Sequence, residues 1–179
     1  MKAVKPVMHC VVMISLLLAL LGAGGCQAQS PATPKESMIG AAITGIDHLA
    51  DHLSVQQFSV DGYNAARAGE GGSTVCCAML PAQWRPDLIV RVEWVEQNWR
   101  DCSYRNRQRE VAVDRYDEAG QIWVHLLVDD SIRVVASGRH GPRSESYSGP
   151  RDSIPYKHPW HEYPADTHCK RQWTEDTTP

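Results

Sequence analysis

The stretch QIWVHLLVDDSIRVVAS, residues 121–137, has the two-residue periodicity of a β-hairpin. Successive side chains of a strand point to opposite faces, so every second residue shares a face. The apolar residues that share one face in this way are Ile122, Val124, Leu126, Val128, Ile132 and Val134. Asp129 and Asp130 interrupt the pattern and indicate the turn between two half-buried strands.

The same alternation appears before this hairpin, most clearly in LIVRVEWVE, residues 88–96. Further strands are predicted at residues 53–60, which end at the turn Asp61-Gly62, and at residues 73–80. Residues 38–47 and 110–113 are weaker candidates. Short strands about ten residues apart favour an all-β fold, an antiparallel β-sandwich or a partly open barrel.

The pattern changes after residue 136, where frequent proline and glycine prevent regular elements. We therefore predict a β domain at residues 38–136 and an irregular, Pro-rich C-terminal tail at residues 137–179 that packs on it. Gly69-Glu70-Gly71-Gly72 is predicted to be a flexible connection. It lacks the lysine and the helix that a phosphate-binding loop needs.

The N-terminus predicts export. Two lysines precede an apolar run at residues 11–21, which is too short to span a bilayer, and small residues follow it. Ala23-Gly24-Gly25-Cys26 resembles a bacterial lipobox, although leucine is usual where Ala23 stands. We expect a lipoprotein signal peptide at residues 1–25 and lipid on Cys26. A plain secretory cleavage nearby is the alternative.

Residues 26–37 are polar and contain two prolines, which predicts a disordered tether between the lipid and the domain. An aspartate directly after the lipidated cysteine favours retention in the inner membrane, but Gln27 occupies that position here. We therefore expect the anchor to lie in the outer membrane, on its periplasmic face.

The chain has a net charge of −3 and no dominant basic stripe. Nucleic acid is therefore not an expected partner.

Four cysteines besides Cys26 follow the predicted signal peptide, and an oxidising compartment favours disulfides. They are Cys76, Cys77, Cys102 and Cys169. Because neighbours in a strand point to opposite faces, we expect Cys76 and Cys77 each to have a distant partner. Cys102 and Cys169 are the candidates, in either pairing, and free buried thiols are the alternative.

The sequence contains none of the common nucleophile or metalloprotease motifs, so we expect neither catalysis nor a cofactor. One metal-like cluster, HPWHEYPADTHC, contains His158, His161 and His168. Imidazole groups bind zinc or copper, but this spacing matches no common ligand pattern. A polar loop is the simpler interpretation, and a metal-binding envelope enzyme is the alternative.

Six tryptophans are many for a chain of this length. Four of them, Trp84, Trp94, Trp99 and Trp123, lie in or near predicted strands and are expected to pack in the core. In the tail, Trp160, Tyr163 and Trp173 are candidate aromatic anchors for a partner protein. For the two tail tryptophans, burial and exposure are equally expected.

Several segments together resemble a family of short proteobacterial lipoproteins that has no agreed catalytic residues. They are ITGIDH at residues 43–48, FSVDGYNA at 58–65, GGSTVCCAMLPAQWRPDLIVRVEW at 71–94, NWRDC at 98–102 and VDRYDEAGQIWVHLLVDDSIRVVAS at 113–137. The resemblance extends over residues 43–149, and its most specific part is CC-x-x-LP-x-x-W-x-P.

Members of that family are often encoded beside lipase effectors of type VI secretion systems. The resemblance therefore implies a periplasmic immunity protein that binds and inhibits a cognate phospholipase effector. A lipid anchor on Cys26 would concentrate such an inhibitor at the membrane that the lipase attacks. The alternative, from a different class, is a structural or interaction lipoprotein of the cell envelope.

Overall fold

The computed structural model describes residues 36–138 and 140–164. The predicted signal peptide, most of the tether, Cys26, His168, Cys169 and Trp173 lie outside the described residues. Within the described ranges, no helix has the length and apolar character needed to cross a membrane.

The described residues form eight strands and one short helix. They are β1 (Met38–Asp47), β2 (Leu53–Val60), β3 (Tyr63–Ala65), β4 (Val75–Pro81), β5 (Ile89–Asn98), β6 (Ser103–Ala112), β7 (Gln121–Leu126), β8 (Ile132–Ser137) and α1 (Pro159–Glu162). The all-β prediction is confirmed.

The strands form two sheets that pack face to face, which confirms the β-sandwich rather than a barrel. The first sheet has the order β4-β1-β7-β8, and the second has the order β3-β2-β5-β6. Every pair is antiparallel except β1 and β7, which are parallel. Apolar residues of both sheets fill the space between them, among them Ile43, Ile122 and Val124 from the first and Phe58, Val92 and Trp94 from the second.

Both predicted turns are present. β2 and β3 are joined by Asp61 and Gly62, whose backbone φ angles are 49° and 80°. Two successive positive φ angles define the two-residue hairpin turn that matches the twist of antiparallel strands. β7 and β8 form the hairpin that the sequence predicts, although Val128 is 75% exposed because it lies in the turn.

β1 is a longer and more deeply buried strand than its amino-acid composition predicts. It is rich in glycine and alanine, which are poor strand formers, yet residues 43–49 are all buried. β1 lies between β4 and β7, and its small residues allow close approach from another layer. A Cβ atom at Gly45 would lie 2.6 Å from Phe58 and 2.7 Å from Ala68.

Cys76 and Cys77 form a disulfide with each other, across a cis peptide bond. The prediction that each has its own distant partner is therefore wrong. The alternation of side chains on which it rested applies to trans peptides, whereas here the two Cα atoms lie 3.1 Å apart. Cys102 is also disulfide-bonded. Cys169 lies outside the described residues.

Candidate binding cleft

The connection between β3 and β4 builds one wall of a cleft at the end of β1. This crossover segment, residues 66–72, leaves the second sheet and pairs with β1 before it enters the first sheet. The Asp47 N–H donates to the Gly69 carbonyl oxygen at 2.9 Å, and the Gly69 N–H donates to that of Gly45 at 3.1 Å. The glycine-rich segment at residues 69–72 is thus hydrogen-bonded to β1 at its first residue, Gly69.

The described part of the tail covers the outward face of the first sheet. Tyr147 is 2% exposed and packs on Ile46, Trp123 and Val135, which form a second apolar cluster behind the main core. This cover explains why Trp123 is buried although it points away from the sandwich interior. The tail then continues to the end of β1, where it forms the other wall of the cleft.

Lys157 fixes the tail at that point. Its ammonium group donates to Asp47 Oδ1 at 2.8 Å and to the carbonyl oxygens of Leu49 at 3.1 Å and Leu53 at 3.0 Å. The side chains of Lys157 and Asp47 are only 6% and 3% exposed. Three acceptors match the three donors of an ammonium group, so this buried charge is both paired and fully hydrogen-bonded.

Aromatic rings line the tail wall beyond Lys157. The rings of His158 and Trp160 stack with their centroids 4.9 Å apart, and Trp160 lies 6.0 Å from Trp99. The guanidinium of Arg67, on the opposite wall, lies 5.6 Å from the Trp160 ring centre, within range of a cation–π interaction. Trp160 is thus half-buried and held between both walls.

The resulting tail cleft, defined by residues 67–73, Pro155, residues 157–160 and the floor residues Gly45, Asp47 and Ser54, has a volume of about 360 Å³. It combines one tryptophan face, the guanidinium of Arg67 and the backbone groups of a glycine-rich loop. Such a surface is suited to holding an aromatic or polar segment of another molecule, because aromatic and arginine side chains dominate binding energies at interfaces.

A buried polar chain lies behind the cleft. His48 Nε2 and His125 Nδ1 share a hydrogen bond of 3.0 Å, and His125 Nε2 is hydrogen-bonded to the Tyr147 hydroxyl. Burial, together with the neighbouring His48 and Arg133, lowers the pKa of His125 to about 3. Burial also lowers the pKa of His48, against the opposing effect of Asp152 and Asp47, and raises that of Tyr147. Neutral imidazoles thus join the tail to the sheet.

The structure separates the predicted site residues. Trp160 lies in the tail cleft, whereas Tyr163 lies beside it and accepts a hydrogen bond from Arg100 Nε at 3.1 Å. His158 and His161 have ring centroids 5.1 Å apart. Within residues 36–138 and 140–164, no three His, Cys, Asp or Glu side chains are grouped to hold a metal ion. His168 and Trp173 lie outside these ranges.

The sequence pattern does not indicate Arg67 or Lys157 as site residues, and it indicates His125 only weakly. Lys157 and Arg67 are solitary basic residues in irregular segments, which are usually solvated, so nothing local marked them. His125 carried a weak signal, because it stands between Val124 and Leu126 on the strand face that the hairpin pattern assigns to solvent. Its burial depends on the tail, whose path the pattern does not define.

A family profile described as "Protein of unknown function (DUF3304)" matches residues 50–134. No curated protein and no solved structure matches the chain. The matched range includes the whole second sheet and the crossover segment. It ends within β8, before the tail wall of the cleft.

Proposed function

We propose that this chain is a lipid-anchored periplasmic protein that binds a partner protein through the tail cleft. In line with the family resemblance, the partner is a phospholipase effector of a type VI secretion system, and binding protects the cell as an immunity protein does. The observation that carries the proposal is Trp160, which is half-buried between Trp99 and Arg67 at an open cleft.

Preorganisation supports a binding role for this cleft. A tryptophan that is already fixed by neighbouring side chains loses little conformational entropy on binding, so more of its contact energy appears as affinity. Arg67 is fixed as well, since its guanidinium donates to Gln56 Oε1 at 2.9 Å. Tyr156, which is 77% exposed beside His158, extends the aromatic surface beyond the cleft.

Charge and anchoring support the same proposal. The chain carries a net charge of −3, and removal of residues 1–25 would also remove Lys2 and Lys5 and make it more acidic. An acidic inhibitor is steered towards a basic effector at low ionic strength. A lipid on Cys26 would keep the inhibitor at the membrane surface where a lipase acts, which raises its effective concentration there.

The anchor is tested by growth with labelled palmitate. We expect the label in the wild-type chain and none in the Cys26→Ala variant, because Cys26 is the proposed acylated residue. The variant Cys10→Ala is the matched control and should retain the label. Label that persists after the Cys26 substitution would contradict the lipoprotein assignment.

The partner is tested by co-expression of the full chain with the product of a neighbouring lipase-like gene that is directed to the periplasm. We expect rescue of growth and a co-purifying complex. Trp160→Ala should weaken binding by about 30-fold or more, the loss that defines an interface hot spot of ~2 kcal/mol.

Tyr63→Ala is the matched control for Trp160, because Tyr63 is a 43% exposed aromatic residue at the opposite end of β2 from the cleft. It should bind like the wild type. A correctly exported protein that gives neither rescue nor complex would favour a structural lipoprotein of the envelope instead.

A further inference from the structure

The outward face of the second sheet carries a polar furrow that is separate from the tail cleft. The strand register places two rows of side chains across β2, β5 and β6 on this face. One row is Ser59, Glu93 and Gln108, and the other is Gln57, Val95 and Asn106. The cavity between these rows has a volume of about 360 Å³, and Asn64 of β3 borders it.

The furrow is elongated. A second cavity of about 560 Å³ shares Glu93 with the first and continues along β5 past Arg91 to Ile89. Six residue steps from Val95 to Ile89 correspond to roughly 20 Å at the usual rise of a strand. A groove of this length is suited to an extended polymer rather than to a single small molecule.

Most side chains of the furrow can form hydrogen bonds, although Val95 and Ile89 are apolar. Four of them are amides, at Gln57, Asn64, Asn106 and Gln108, and each amide offers both donors and an acceptor. Glu93 accepts a hydrogen bond from Ser59 at 3.3 Å and keeps further acceptor capacity. Tyr104 lies on the same face of β6, two residues before Asn106, and is 54% exposed.

We propose that this furrow binds an uncharged, linear glycan that carries N-acetyl groups. Sugar hydroxyls both donate and accept, which matches side-chain amides and a carboxylate, while the C–H face of a sugar ring packs on an exposed aromatic ring such as that of Tyr104. An acetamido group pairs with a side-chain amide through one donor and one acceptor. This inference does not depend on the proposed effector.

Charge and backbone geometry favour a glycan over other polymers. Asp61, Glu93 and Glu110 outnumber the cations Arg91 and Arg107 along the furrow, which disfavours an anionic polymer. The furrow lies on a sheet face, where the backbone groups already pair within the sheet. An extended peptide would therefore find no free strand edge to extend there.

The test is a calorimetric titration of the full chain, purified in a zwitterionic detergent without a sugar headgroup. The ligands are a hexasaccharide of N-acetylglucosamine and a hexasaccharide of glucose with the same linkage. We expect saturable binding of the acetylated sugar with a dissociation constant on the order of 0.1–1 mM. The plain glucose chain should bind at least about tenfold more weakly, because it lacks the acetamido hydrogen bonds.

The double variant Asn106→Ala/Gln108→Ala should bind the acetylated hexasaccharide about tenfold more weakly, because it loses two amides. Arg105→Ala is the matched control, since Arg105 is exposed on the opposite face of the same strand. Absence of glycan binding, or equal binding by the double variant, would overturn the proposal. So would loss of lipase binding in the double variant without any glycan binding, which would assign this face to the protein partner.

Discussion

Replacement of Lys157 by methionine is expected to lower the free energy of unfolding by about 3–5 kcal/mol, because it leaves the buried carboxylate of Asp47 without its countercharge. Asp47 Oδ1 would keep only the hydrogen bond from the Leu49 N–H at 2.9 Å. The carbonyl oxygens of Leu49 and Leu53 would lose a donor as well. Urea denaturation at pH 7 measures the loss.

The double variant Lys157→Met/Asp47→Asn separates the charge from the packing. An asparagine side chain still accepts from the Leu49 N–H but carries no charge, so most of the lost stability should return. Arg85→Met is the control, because Arg85 pairs with Asp87 at 2.8 Å on an exposed surface, where an ion pair contributes only about 0–1 kcal/mol. If Lys157→Met lowered the free energy of unfolding by less than Arg85→Met does, the role assigned to Lys157 would be contradicted.

The two-residue pattern is a good guide to strands that bury one face. It locates β2, β5, β7 and β8 because each has apolar residues at every second position towards the core, although the tail also buries the other face of β7. It misses most of β6, whose sequence SYRNRQREVA is almost entirely polar. β6 is an edge strand that pairs with β5 over ten residues, so backbone hydrogen bonds and not burial define it.

The site is less predictable than the fold, because its chemistry depends on distant segments. The sequence indicates Trp160 as a candidate from its residue type alone, since an aromatic residue in an irregular tail suits an interface. Its neighbour Arg67 lies 93 positions earlier in the chain, and Asp47 lies 110 positions before Lys157. Such pairs have no local pattern, and they become visible only when the path of the tail over the first sheet is known.

The stability of the protein is expected to fall by roughly 2 kcal/mol between pH 7 and pH 5, because of His125. Its pKa in the folded chain is about 3, below the ordinary value of 6.5, since burial disfavours the charged imidazole. The unfolded chain therefore binds the proton more readily, and acid favours unfolding. This contribution to stability is complete above pH 6.5 and is lost progressively as the pH falls towards 3.

Substitution of His125 by glutamine tests the origin of this pH dependence. A glutamine amide can replace the hydrogen bonds to His48 and Tyr147 but does not titrate, so the stability of the variant should change less between pH 7 and pH 5. His48, whose pKa is also lowered by burial, accounts for the dependence that remains. His140→Gln, at an exposed position, is the control and should follow the wild type. Urea denaturation at half-unit steps of pH gives the slopes, and an equal slope for wild type and His125→Gln would contradict the assignment to His125.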